Sequence, residues 1–237
     1  KTRLIALAAL VFVCSPNFRV ANAQSYPART VRMIVPIAPG GAVNTMARAI
    51  SMRLGHALGQ AVVIDNRPGA NAIIGLEMCA KSAADGYTLC MTNGDSISVN
   101  PNLYSNLPYD PARDFAPVIQ VGFIETVMAA HSAVQVNSLR ELLELAKSKP
   151  GTIAWSSFGN GSIGPLYMEW LKNSTGAVFN HVPYKGAAPA LTALLAGEDQ
   201  VSIVSLGLAN PAFKAGKLKP LAMVGTKRSP AAPDVPT

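Results

Sequence analysis

The chain has 237 residues, 49% of them hydrophobic, with 20 lysines and arginines against 13 aspartates and glutamates for a formal charge of +7. This suffices for one or two globular domains, while the scattered basic residues make no nucleic-acid stripe. Beyond the first residues no run approaches the roughly 18 uninterrupted apolar residues of a transmembrane helix, and three histidines without paired spacing (His56, His131, His181) give neither a metal site nor a cofactor any support.

The opening residues Lys1-Thr2-Arg3, the apolar run LIALAALVFVC and the small-x-small end Ala21-Asn22-Ala23 have the layout of a secretory signal. Cleavage is expected after Ala23, leaving Gln24 first and sending the protein to the periplasm. A lipid anchor on Cys14 is the rival reading, opposed by bulky Phe12-Val13 where a small residue is expected. The leader holds Lys1, Arg3 and Arg19 and no acid, so the remainder carries 17 basic and 13 acidic residues, a mild +4. That balance suits drawing a small anion into a cleft.

Next comes VRMIVPIAPGGAVNTMAR (31–48), a β-branched run, the turn Pro39-Gly40-Gly41 and an amphipathic pattern, hence strand, glycine turn and helix. The unpaired N–H groups and positive dipole end of the helix favour an anion there, and glycines let it approach the backbone. An ordinary βα turn is the bland alternative. Further strands are expected over 61–65, 87–92, 116–130, 152–157, 177–182, 200–204 and 218–225. Helices are expected over 45–58, 72–84, 139–147, 165–174, 189–195 and 210–215. The alternation predicts an α/β protein with parallel strands and helices on both faces. Cys79, in an expected helix, and Cys90, in an expected strand, read as two buried free thiols, although an oxidising compartment would let them pair. Ser138, with Glu141 three residues on, forms a capping box.

Gly159-Asn160-Gly161-Ser162-Ile163-Gly164 satisfies the dinucleotide pattern G-x-G-x-x-G, but the region about 20 residues on, VFNHVPYKG, has no acid for a ribose hydroxyl. The same loop nearly spells an esterase elbow, with Asn160 in place of the first glycine, and Ser162 has no obvious acid–histidine pair. An exported serine hydrolase using Ser162 therefore stands as the alternative function. As a second anion cradle on the other half of the chain, the loop suggests a cleft closing from both sides. The runs 115–130 and 218–225 are the candidate hinge strands. Lys185, beside a proline, is either an anion-steering or a solvated lysine. Trp155 is expected in the core with Ser156 on the opposite face, and Arg67 in Asn66-Arg67-Pro68-Gly69 is expected to fix a turn rather than clamp a carboxylate. The proline-rich end 229–237 resembles a connector with nothing after it.

These features continue as a set: Tyr26-Pro27, Val35-Pro36 with Pro39-Gly40-Gly41, Asn66-Arg67-Pro68-Gly69-Ala70, Asp85-Gly86-Tyr87-Thr88-Leu89, Leu107-Pro108-Tyr109-Asp110, Asp114-Phe115-Ala116-Pro117-Val118, Gly159-Asn160-Gly161-Ser162, His181-Val182-Pro183-Tyr184-Lys185-Gly186, Ala215-Gly216-Lys217-Leu218 and Pro233-Asp234-Val235-Pro236-Thr237. In this order they resemble the Bug family of periplasmic solute receptors, the tricarboxylate-binding components of tripartite tricarboxylate transporters. The resemblance implies a type II periplasmic-binding-protein fold, two doubly wound lobes joined by a two-strand hinge, no catalysis and no cofactor. It implies lobe 1 over 24–122, lobe 2 over 123–220, and a return strand and connector over 221–237 leading to a part of lobe 1 beyond Thr237. It also implies a monomer that presents a small carboxylate to inner-membrane transporter subunits or a sensor.

Carried over by position, the ligand loops fall on Ala38 to Asn44, on Thr92 to Asp95 and on Ser156 to Ser162, with Ala38, Gly40, Gly41, Asn44, Thr92, Ser157, Gly159, Asn160, Gly161 and Ser162 as the candidate contacts and Lys185 and Ser205 beside them. Relatives usually have aspartate where Asn44 stands and an acid near Val204 and Ser205. Losing two carboxylates favours a di- or tricarboxylate over an amino acid, by easing repulsion and removing partners for an ammonium group.

Overall fold

A computed structural model describes residues 25–237; the expected leader and its cleavage site lie outside the described residues. The first sheet has β1 (Val31–Val35) between β2 (Val62–Asn66) and β3 (Thr88–Cys90), all parallel. Val31, Ile34 and Val35 are fully buried, because a central parallel strand is covered on both faces. Helix α1 (Ala42–Leu58) covers one face with Val43, Ala47, Ile50 and Leu54, a spacing of four, three and four that keeps them on one stripe. It ends at Gly59, whose left-handed φ of 67° is the usual helix stop. Helix α2 (Ile73–Ala80) sits so close to the strand ends that a Cβ at Gly75 would lie 2.6 Å from both Pro36 and the Arg67 carbonyl oxygen.

Two short helices follow β3, α3 (Gly94–Ser98) and α4 (Asn100–Leu103). The sequence gives no sign of them, since this segment has no apolar period. Tertiary contacts hold it instead: buried Tyr109 donates its hydroxyl to the Ser96 carbonyl at 2.8 Å and accepts from the Asn100 amide at 3.2 Å.

The second sheet has the order β6–β5–β7–β4–β8, with β4 (Thr126–His131), β5 (Ala154–Ser157), β6 (Asn180–Pro183), β7 (Val201–Ser205) and β8 (Leu218–Met223). Strands β5, β6 and β7 are parallel as expected, whereas β4 runs antiparallel to both its neighbours. Strand–helix alternation predicts the direction of each βαβ step. It carries no information about a strand slotted between two others that are distant in sequence. Helices α5 (Leu139–Ser148), α6 (Ile163–Thr175), α7 (Ala187–Ala196) and α8 (Leu206–Lys214) complete this lobe. Trp155, fully buried, meets Phe179 edge-on at 4.9 Å between ring centroids and packs in one core with Leu142, Met168, Leu171 and Ile203. The opposite face buries Val127, Leu194, Val204 and Leu218. The cap of α5 forms as expected: Glu141 N–H donates to Ser138 Oγ at 3.2 Å, and the Glu141 carboxylate accepts from Asn137 N–H at 2.6 Å.

Two expectations need correction. The strand expected over 116–130 is confined to Thr126–His131; residues 117–125 run irregularly, with Val118 83% and Phe123 86% exposed. Strand propensity is there, but among the described residues this run has no ladder partner to satisfy its backbone. Cys79 and Cys90 are free, as expected, but half-buried rather than buried. Their thiols are hydrogen-bonded, and that contact together with burial pushes the Cys90 thiol up.

Candidate functional site: two loops facing each other at the strand ends

The carboxyl ends of the parallel strands gather the residues expected to bind ligand, which is where open α/β sheets place their ligands. In the first lobe β1 ends in half-buried Ala38, exposed Pro39 and Gly40, and buried Gly41. Gly40 needs glycine for its φ of 90°. Gly41 is the N-cap of α1 and offers no side chain to cap it, and no acidic residue stands in the first turn. The amides of that turn are therefore left for a ligand or water. Asn44, third in the helix and 4% exposed, accepts from the Asn66 amide at 2.9 Å; the same amide group donates to the Ile37 carbonyl at 2.9 Å. These bonds tie the ends of β1 and β2 to the start of α1. Arg67 donates to the Asp65 carboxylate at 2.8 Å, and Arg32 pairs with the same group. Burial acts to raise the Asp65 carboxyl, yet the two guanidiniums hold it below its ordinary value. Arg67 thus serves its turn. Past β3, the Thr92 hydroxyl oxygen is buried without a partner among the described residues.

In the second lobe the loop from β5 to α6 folds onto its own serines. Ser162 Oγ donates to the Gly159 carbonyl at 2.8 Å, and Ser157 Oγ lies 3.2 Å from that carbonyl and accepts from Gly159 N–H at 3.3 Å. Ser162 is the N-cap residue of α6, but its side chain does not cap. Gly164, the last glycine of the loop, admits α6 close to the sheet: a Cβ there would meet Ser157 Cβ and Trp155 Nε1, each at 3.4 Å. The hydroxyl of Ser162 has no histidine hydrogen-bonded to it among the described residues. The serine that meets a histidine is Ser157, 2.7 Å from His181 Nε2. Lys185 is exposed just past β6, and Ser205 ends β7 as the N-cap residue of α8, opposite Thr126.

Each loop meets the opposite lobe: the Gly40-Gly41 turn lies against the start of α7, and the β5–α6 loop against Asn71. A Cβ on Gly40 would lie 3.2 Å from Ala188 Cβ, one on Gly41 3.7 Å from Ala187 Cβ, and one on Gly186 3.4 Å from Ala38 Cβ. Gly161 abuts the amide of Asn71 so closely that no side chain fits between them. Asn71 lies in the run Ala70-Asn71-Ala72, whose φ values of 46°, 54° and 71° are all left-handed, a strained conformation for residues with a Cβ. Its side-chain amide donates to Asn100 Oδ1, and the Asn100 amide donates to the Asn71 backbone carbonyl at 2.9 Å, which holds it there. Asp95, from α3, is half-buried, and burial raises its carboxyl above its ordinary value.

The sequence-derived residues thus come together at one facing edge. Asp95 falls in the expected Thr92–Asp95 loop, whereas Asn71, His181 and the start of α7 escaped that reading. Of these, only the Pro-Gly turn before Asn71 gave any signal. A cavity of about 370 Å³ lies elsewhere, lined by His131, Lys149, Asp199 and Gln200 among others. Among the described residues no cluster of three metal-ligating side chains occurs.

Comparison with known proteins adds an independent line. A family profile described as "Tripartite tricarboxylate transporter family receptor" matches residues 46–237. Protein BugT of Bordetella pertussis is 36% identical over 237 residues, which cover all of this chain and 73% of that protein. Among solved structures, R. palustris Rpa4515 with adipate is 35% identical with a TM-score of 0.85, over 90% of this chain and 71% of that one. MatC (Rpa3494) from Rhodopseudomonas palustris with bound malate is 30% identical with a TM-score of 0.82, over 90% and 72% respectively.

Proposed function

The chain belongs to the tripartite tricarboxylate transporter receptor family, whose members are periplasmic solute-binding proteins of two-lobe fold, and on that premise we propose that it captures a small dicarboxylate between its two glycine loops and delivers it to a membrane transporter or sensor. The observation that carries this reading is two helix starts, α1 at Gly41 and α6 at Ser162, neither capped by its N-cap side chain and each beside a close contact between the lobes, Gly41 with Ala187 and Gly161 with Asn71. Each helix start favours one carboxylate group, so an acid with two anionic ends suits both. The adipate of Rpa4515 and the malate of MatC support a ligand of this class. The hydrolase alternative receives no such support, since the Ser162 hydroxyl is occupied by the Gly159 carbonyl.

The test is thermal denaturation of the full-length protein with adipate, malate, citrate, aspartate and glutamate. A ligand that binds only the folded state at 100 times its Kd adds about 2.7 kcal/mol of stability. A rise in Tm with at least one di- or tricarboxylate is the expected result. No rise with any of the acids would end the receptor reading, and turnover of a generic ester that disappears in Ser162→Ala would replace it.

A further inference from the structure

Beneath the β5–α6 loop, on the sheet face that the first turn of α6 covers, lies a polar contact. Strands β5 and β6 are parallel with Trp155 opposite His181, so Trp155, Ser157 and His181 share one face of the sheet. There Ser157, 2% exposed, meets His181 Nε2 at 2.7 Å. A hydroxyl has one proton, and Ser157 has two candidate acceptors for it: Nε2 at 2.7 Å and the Gly159 carbonyl at 3.2 Å. The shorter contact is the better bond. Burial favours the neutral ring, and in its Nδ1–H tautomer Nε2 is the acceptor. With the proton on that bond, the Ser157 oxygen receives Gly159 N–H, and the Gly159 carbonyl is satisfied by Ser162 Oγ at 2.8 Å and Ser162 N–H at 3.1 Å. Ser157 then turns its hydroxyl to His181, while Ser162 turns its own into the loop.

We propose that His181 is a positioning residue for the carboxylate site: through Ser157 it fixes the 157–162 loop in the shape that presents the first amides of α6. This inference rests on the receptor reading above. His181 itself touches no ligand; what it supplies is a hydrogen-bond acceptor at a set place under the loop. Glutamine can supply one and phenylalanine cannot, although phenylalanine keeps the ring's bulk.

The experiment uses the full-length protein, with adipate and malate as probes, and compares wild type with His181→Phe, His181→Gln and Ser157→Ala. Loss of one neutral hydrogen bond corresponds to roughly tenfold in affinity. Titration calorimetry is expected to give about that loss for His181→Phe and Ser157→Ala, and retention within about threefold for His181→Gln, with circular dichroism unchanged. Nitrogen NMR of the imidazole is expected to show a protonated Nδ1 and a bare Nε2. Wild-type affinity in His181→Phe, or a ring protonated on Nε2, overturns the inference. If wild type binds neither acid, the receptor reading has failed. The Gly159 amide resonance then decides for the loop alone: movement in His181→Phe but not in His181→Gln upholds the positioning, and no movement in either overturns it.

Discussion

Asn44 occupies the third position of α1, buried and bonded to Asn66, where a negative charge would stand close to any carboxylate seated on the first turn. Two unit charges about 4 Å apart interact by roughly 4 kcal/mol at an effective dielectric of 20. The helix dipole offsets about 0.3 to 1 kcal/mol of that. Repulsion wins, so Asn44→Asp is expected to weaken dicarboxylate binding by roughly tenfold or more in calorimetry while Tm stays within a few degrees. Aspartate retains the oxygen that accepts from Asn66, which is why the fold tolerates it. His181 has a separate signature in stability. Burial holds its ring below the ordinary value of 6.5, so the unfolded chain takes up a proton that the folded chain refuses. Stability therefore falls as pH drops below about 6.5 towards the folded pKa, and levels off beneath it. The fall in Tm between pH 7.5 and 5 is expected to be smaller in His181→Gln than in wild type. An equal fall in both would show that His181 does not titrate differently on unfolding.

At the level of elements, contact between the lobes is concentrated where glycine leaves no side chain. Gly161 faces the Asn71 amide, and Asn71 is pinned by Asn100. Gly161→Ala forces those groups apart without entering either core, so ligand affinity is expected to drop several-fold with little change in Tm. Adding Asn71→Gly, which removes the obstructing amide at a residue whose φ of 54° suits glycine, is expected to restore much of the loss. A double mutant as weak as the single one would mean that the loop, and not the interlobe contact, was damaged. The same contrast separates what was legible in the sequence. Strands β1, β5 and β7 and helices α1, α5 and α6 follow from β-branched runs, apolar spacing and a capping box, all local signals. Asn71 and His181 gain their roles from partners 29 and 24 positions away, and no spacing rule connects them. The antiparallel placement of β4 and the exposure of Val118 and Phe123 are likewise decided by which strands lie alongside, not by the residues themselves.

For the whole molecule, the arrangement is that of two α/β lobes whose strand ends face one another, a geometry that closes around a ligand by hinge motion. If the two glycine loops form the carboxylate site, saturating adipate or malate must favour the closed arrangement. Small-angle X-ray scattering is then expected to show a smaller radius of gyration with the acid than without it, and less compaction in Gly161→Ala. The most direct measurement is a crystal structure of the full-length protein bound to whichever acid gives the largest rise in Tm. One carboxylate is expected within hydrogen-bonding distance of the backbone amides from Gly41 to Asn44, and the other within reach of those of Ile163 and Gly164 at the start of α6. An acid seated in the cavity beside His131, Lys149 and Asp199, or one that touches a single loop and leaves the other to water, would contradict the two-loop site.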